Sequence, residues 1–246
     1  MAANVYKHNT STSLFIEGAA SGIPIFIGYF SASIAFGLLS RNTGLIFLET
    51  ILFSVTNFAG ASQFLAINLI GAGAAVSEII IGILLVNMRY FLMSASLNTR
   101  ITEKNPIKRG IIAFGNTDEV FTVASTRSKP PDLPFMVGIE SVSWSGWISG
   151  TAVGFFAGSL LSNSLQIAMG GALYALFAAL LAPEIKKSVK ALILAGTAAL
   201  INTICVYLFN ISIGWSFVIA LISASVFGAA LFKGTGYHKA QKGETT

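Results

Sequence analysis

Residues 110–126, Gly-Ile-Ile-Ala-Phe-Gly-Asn-Thr-Asp-Glu-Val-Phe-Thr-Val-Ala-Ser-Thr, form an apolar run with a polar centre. Asn116, Thr117, Asp118 and Glu119 stand where the middle of a membrane span would lie. Carboxylates kept at membrane depth are costly, and they mark a solute or ion path more often than decoration. How this stretch meets the bilayer decides the topology on either side of it.

The rest of the chain is strongly apolar. Hydrophobic residues make up 54% of the 246 and charged residues only 10%, with a mean hydropathy of +0.76. A soluble domain carries roughly 25% charged residues to cover its surface. Apolar runs recur from residue 18 to residue 232, several near the ~20 residues that cross a hydrocarbon core. The expected fold is therefore an all-α polytopic membrane protein. A transmembrane barrel is excluded, because no series of ~10-residue alternating strands is present.

Seven long apolar segments are expected as spans: 18–39, 45–73, 76–97, 134–160, 166–183, 189–208 and 212–232. Residues 110–126 are the eighth candidate. The connectors near 71–76, 161–165 and 209–212 hold no Lys or Arg, whereas 98–109, 127–133 and 184–190 are basic. If 110–126 crossed, the basic loops beside it would face opposite compartments. If it dips in and returns, every strongly basic loop and the C-terminal tail face the cytoplasm, as the positive-inside rule requires. Irregular backbone at depth is tolerated where protein or a water-filled cavity shelters it. The expectation is seven transmembrane helices plus a polar re-entrant segment, or eight spans if that segment crosses.

Residues 45–73 are long for one straight crossing. They read either as one tilted helix or as two half-helices broken near Gly60, within Asn57-Phe58-Ala59-Gly60-Ala61-Ser62-Gln63. The choice sets the side of the N-terminus, and Lys7 and Arg41 weigh equally in opposite directions. A polar tail at 1–17, one membrane transport domain at 18–232 and a basic cytoplasmic tail at 233–246 complete the organisation. The leader lacks a small-residue cleavage site after its first apolar run, so that run reads as a first span rather than a cleaved signal.

Several residues can carry chemistry. Pro24, in Gly22-Ile23-Pro24, removes a helical donor and frees a carbonyl one turn back, as a broken transporter helix or an ordinary kink does. Asn57 and Gln63 can bind the charged ends of an amino acid or serve as interhelical glue worth ~0.6 kcal/mol apiece. Asn87 and Arg89 lie two positions apart on the 76–97 helix and point to different sides. Glu78 is eleven residues before Arg89, about 16 Å along a helix, and cannot reach it. Asp118 or Glu119 is the better partner for Arg89. Burial also makes either acid a candidate proton acceptor, against the plainer reading of a solvated loop.

Gly146, Gly150, Gly154 and Gly158 form a GxxxG ridge that lets another backbone approach closely, from this chain or from another subunit. Glu140, Trp144 and Trp147 share a face near the start of that helix. Glu140 is expected to reach the interface, and the Trp pair to join an aromatic belt. Cys205 lies in an apolar helix and reads as packing. His8 and His238 have no ligating neighbours, so no metal site is expected and no cofactor. The basic charge is confined to loops and tail and is no nucleic-acid footprint. No phosphate-binding loop or nucleophile–base arrangement points to an enzyme.

Four stretches together resemble the AzlC family, the large subunit of branched-chain amino acid exporters. They are Gly22-Ile23-Pro24 with Gly28-Tyr29 and Ala35-Phe36-Gly37; Phe58-Ala59-Gly60-Ala61-Ser62-Gln63-Phe64; Asn87-Met88-Arg89-Tyr90; and Thr117-Asp118-Glu119. The likeness covers about 20–232. It implies a secondary exporter of neutral amino acids such as valine, leucine or isoleucine in a bacterial inner membrane. It further implies a small AzlD-type membrane subunit as partner, and it places Gln63, Asn87, Arg89 and Asp118 on the transport pathway. A non-transporting membrane scaffold built on the glycine ridge, or a channel, is the alternative that the residues themselves leave open.

Overall fold

A computed structural model describes residues 11–158 and 188–232, with the isolated positions 178, 181, 182, 185 and 186. The expected span at 166–183, those isolated positions aside, and the tail at 233–246 lie outside the described residues. Among those described there are nine helices and no strand. They are α1 Ser11–Asn42, α2 Phe47–Thr56, α3 Gly60–Gly71, α4 Val76–Asn98, α5 Pro106–Gly115, α6 Asp118–Thr126, α7 Leu133–Ala157, α8 Val189–Tyr207 and α9 Ile213–Leu231. Four of these, α1, α4, α8 and α9, are long and apolar enough to cross a membrane.

The chain forms two compact units, Met1–Ile67 with Val86–Leu173, and Asn68–Leu85 with Tyr174–Thr246. In the first, α1 and α7 pack along their lengths through facing glycines. A methyl group on Gly18 would strike the Phe135 carbonyl, and one on Gly154 the Ile34 carbonyl. A methyl on Gly22 would lie 2.9 Å from the Ile139 oxygen, and one on Gly146 would lie 2.8 Å from the Phe26 oxygen. Residue numbers rise together along both helices, so the pair is parallel. The ridge at Gly146, Gly150, Gly154 and Gly158 is thus occupied by α1 of the same chain.

Residues 45–73 are broken, not straight. Glu49 starts α2 by accepting the Ile46 amide at 2.9 Å, and α2 ends at Asn57 in extended geometry. Along α7, α2 runs backwards: Phe47 stacks near Phe156 at 4.7 Å, and the Ser54 and Thr151 hydroxyls meet at 2.8 Å. From the break α3 turns back. Phe64 of α3 and Phe53 of α2 flank the same Phe36 ring, at 5.7 Å and 6.4 Å. The segment is a helical hairpin that returns towards the end it entered from; of the two readings its sequence allows, one tilted helix or two half-helices broken near Gly60, it takes the second.

Residues 106–126 form a second hairpin. Asn105 caps α5 by accepting the Ile107 and Lys108 amides at 2.9 and 3.4 Å, with Pro106 at the first helical position. Thr117 caps α6 through the Val120 amide at 3.4 Å, and Asp118 and Glu119 occupy its first turn, where the helix dipole favours carboxylates. Arg100, just after α4, donates to the Ala124 carbonyl at 3.3 Å, to that of Arg127 at 2.6 Å and to that of Ser125. Entry and exit therefore lie together. Arg127 in turn pairs with Glu17 at 2.8 Å, which brings the start of α1 to the same basic end.

The second unit contains the antiparallel pair α8 and α9, joined at Asn210, whose φ is +52°. Glu78 is 4% exposed and accepts the Ser212 hydroxyl at 2.6 Å at the start of α9. It is a helix-end partner here, consistent with its distance from Arg89. Cys205 is buried and free.

Candidate functional site

The tips of the two hairpins meet halfway along α7. Phe58, from the first break, and Phe114, at the end of α5, line two adjacent cavities. One, of about 210 Å³, is the more polar of the two and is bordered by Asn57, Asn87 and Tyr90. The other, of about 180 Å³, is apolar and is lined by Ile111, Val137, Trp144, Ser141 and Glu140. Discontinuous helices that meet near the bilayer centre are where secondary transporters hold small solutes.

Arg89 and Asp118 line neither cavity, and Arg89 adjoins the first through Tyr90. Arg89 Nη1 lies 2.9 Å from Asp118 Oδ2, its Nη2 donates to the Tyr90 hydroxyl at 3.2 Å, and its guanidinium lies 4.9 Å over the Tyr90 ring. Both charged side chains are about one-third exposed, 35% and 36%. The neighbouring Glu119 accepts the Tyr29 hydroxyl. Each acid of the α6 first turn thus has its own donor. Tyr29 holds that position by edge-to-face contacts with Phe58 at 5.6 Å and Trp147 at 5.5 Å.

Gln63 does not line either cavity. It is fully buried, at 0%, and its amide binds the broken turn. Nε2 donates to the Phe53 carbonyl at 3.1 Å and to the Asn57 carbonyl, while Oε1 accepts the Trp147 indole at 2.9 Å. The Asn57 carbonyl lies at the break itself, whereas that of Phe53 also accepts the Asn57 amide at 3.1 Å. Asn57 does reach the polar cavity, at the break between α2 and α3. Asn87 reaches it too, and among the described residues its buried Oδ1 has no partner. Pro24 lies inside α1 on an exposed position and borders neither cavity.

Two expectations on α7 are corrected. Trp147 is no belt residue, being 3% exposed and set among Tyr29, Phe36 and Phe64. Glu140 does not reach the interface either. It is 6% exposed, its carboxyl packs against Gly115, and its Oε1 is buried without a hydrogen-bond partner among the described residues. Asn116 adds a further open acceptor at the second break, since its Nδ2 donates to Ser94 at 3.2 Å while its Oδ1 has no partner among the described residues.

Comparison with known proteins places this arrangement. The AzlC protein family model matches residues 24–161, more than half of the chain and both hairpins. The chain belongs to the AzlC family. The inner membrane protein YgaZ of Escherichia coli is 33% identical over 82% of this chain and 85% of its own length. An uncharacterized membrane protein of Archaeoglobus fulgidus is 36% identical over 78% of this chain and 87% of its own. The branched-chain amino acid transport protein AzlC of Bacillus subtilis is 28% identical over 58% of each. No solved structure matches. Membership makes this a membrane protein of a transport family; Arg89, Asp118, Glu119, Asn57, Gln63 and Asn87 all fall within the matched region.

Proposed function

We propose that this chain is the large subunit of a secondary-active exporter of branched-chain or related neutral amino acids, coupled to an ion gradient. The reading rests above all on the Arg89–Asp118 pair, held at 2.9 Å beside the meeting point of two broken helices. A guanidinium there suits the carboxylate of an amino acid, which can share or displace Asp118. Asn57 and Asn87 offer amide contacts, and Gln63 keeps the first break in shape. Asp118 or Glu119 then takes up a proton in the coupling step.

The positive-inside rule assigns the basic end, with Glu17, Arg100, Lys104, Lys108 and Arg127, to the cytoplasm. The hairpins then enter from opposite faces of the cytoplasmic membrane, and α1 begins on the inner side. The relative from Bacillus subtilis named as a branched-chain amino acid transport protein supports the substrate class. A small AzlD-type membrane subunit completes the proposed transporter. The scaffold alternative loses its surface, because the glycine ridge already holds α1.

The test is counterflow of labelled valine in proteoliposomes, with and without the small subunit. Saturable exchange that falls with Asp118→Asn supports the reading. No exchange with both subunits present, or exchange unchanged in a normally inserted Asp118→Asn protein, overturns the corresponding claim.

A further inference from the structure

On the transport reading above, Arg89 receives the solute carboxylate, but an α-amino acid is a zwitterion and also carries an ammonium group. The apolar cavity contains one titratable group that can receive it, Glu140. The other walls, from α5, from the first break and from α7 itself, are Ile111, Phe114, Gly115, Phe58, Val137, Trp144 and Ser141, whose hydroxyl donates to the Gly138 carbonyl at 3.1 Å, with no Lys, Arg or His among them. Among the described residues Glu140 makes no ion pair within 4.0 Å, and its Oε1 is buried with no partner.

A carboxyl group left open in an apolar cavity is expensive as a bare anion, and a cation that enters beside it offsets part of that cost. The surrounding rings and branched side chains exclude a hydrated metal ion poorly matched to them and favour an aliphatic chain. The volume of about 180 Å³ suits a group of a few carbons. Phe58 and Phe114 are shared with the polar cavity beside Tyr90 and Arg89.

We propose that the cavity between the hairpin tips is a binding site for aliphatic ammonium groups, with Glu140 as the counter-ion and Phe58, Phe114 and Trp144 as the aliphatic clamp. The identity of the natural solute rests on the transport reading above; the cavity's preference for an aliphatic amine does not. Gly115 is part of the device, because a methyl group there would collide with the Glu140 carboxyl.

The experiment measures binding to the purified chain in nanodiscs by calorimetry, with isoamylamine, isovalerate and leucine as probes. Isoamylamine should bind the native protein and should lose on the order of tenfold or more in affinity with Glu140→Gln. Glu140→Asp should recover part of the loss. Val137→Phe, which keeps the carboxyl and fills the cavity, should also abolish binding, so the result does not depend on one variant. Isovalerate, which lacks the ammonium, should be indifferent to Glu140→Gln. Equal affinity of isoamylamine for native protein and Glu140→Gln, or no binding to the native protein, overturns the proposal. If valine counterflow fails while isoamylamine still binds through Glu140, the transport reading falls and the ammonium site stands.

Discussion

The Trp147 indole donates to the Gln63 side-chain oxygen at 2.9 Å, while the nitrogen of the same amide closes the Phe53 carbonyl at 3.1 Å. One buried side chain thereby ties the break of the first hairpin to the middle of α7. Replacing Gln63 with Leu keeps the volume but removes the side-chain partner of the Asn57 carbonyl and of the indole, while the Phe53 carbonyl retains only the Asn57 amide. The expected loss is about 1–3 kcal/mol, read as a lower unfolding midpoint in detergent. Trp147→Phe should cost less alone and be non-additive with Gln63→Leu, because both changes remove the same bond.

The α1–α7 seam makes a separate prediction. Gly150→Leu would drive a side chain into the Phe30 carbonyl and the Ser33 hydroxyl, and neither helix can shift without opening the seam. A loss of about 3 kcal/mol is expected, seen as aggregation or loss of the monodisperse peak in size-exclusion chromatography. Gly28→Ala is the control, since nothing lies within 4 Å of a methyl group there.

Much of this seam was legible beforehand, and the reasons for the rest are physical. The four-residue spacing of Gly146 to Gly158 shows that a backbone comes close, but nothing in it names α1. Asn105-Pro106 and Thr117-Asp118-Glu119 carry start signals that place α5 and α6 within a few residues. Helical periodicity sets Glu140 on one face with Trp144 and Trp147, yet it cannot say that this face meets two hairpin tips instead of lipid headgroups. Gln63 has the same ambiguity: an amide that binds substrate and an amide that caps a break look alike until the chain folds. The Arg89–Asp118 contact was readable because few charges are available at that depth.

The Arg89–Asp118 pair predicts a separation of folding from transport. Arg89→Gln or Asp118→Asn leaves one charge unpaired, and each should lower valine exchange by at least about tenfold. The double variant Arg89→Gln with Asp118→Asn removes both charges and should restore protein levels without restoring exchange. Recovery of exchange in the double variant would assign the pair to structure alone.

At the basic end, Glu103 accepts the Asn105 amide at 2.9 Å and the Lys104 amide at 3.0 Å, with Lys108 3.4 Å away. The Asn105 amide first, and Lys108 with it, hold its carboxyl below the ordinary value of 4.5. A depressed folded value means that the ionised form favours the folded loop. This contribution is present above pH 4.5 and is lost as pH falls below it. Carboxylate NMR of the loop should show Glu103 titrating below a free Glu, and Lys108→Ala should move it back part of the way.

The opposed hairpins make the most exacting prediction, because a hairpin and a broken crossing differ in where their ends emerge. α2 runs towards the basic end and α3 runs back away from it, with Phe53 and Phe64 both against Phe36. In a Cys205→Ser background, single cysteines at Thr43 and Ala74 should react with a membrane-impermeant maleimide from one face of the membrane. Cysteines at Lys104 and Lys129 should react only from the other face. Thr43 and Ala74 labelled from opposite faces would make 45–73 a crossing, and Lys104 and Lys129 labelled from opposite faces would do the same for 106–126. Either outcome moves a tip away from the α7 midpoint and dissolves the shared aromatic wall at Phe58 and Phe114, so the labelling pattern tests the two-cavity site as well as the topology.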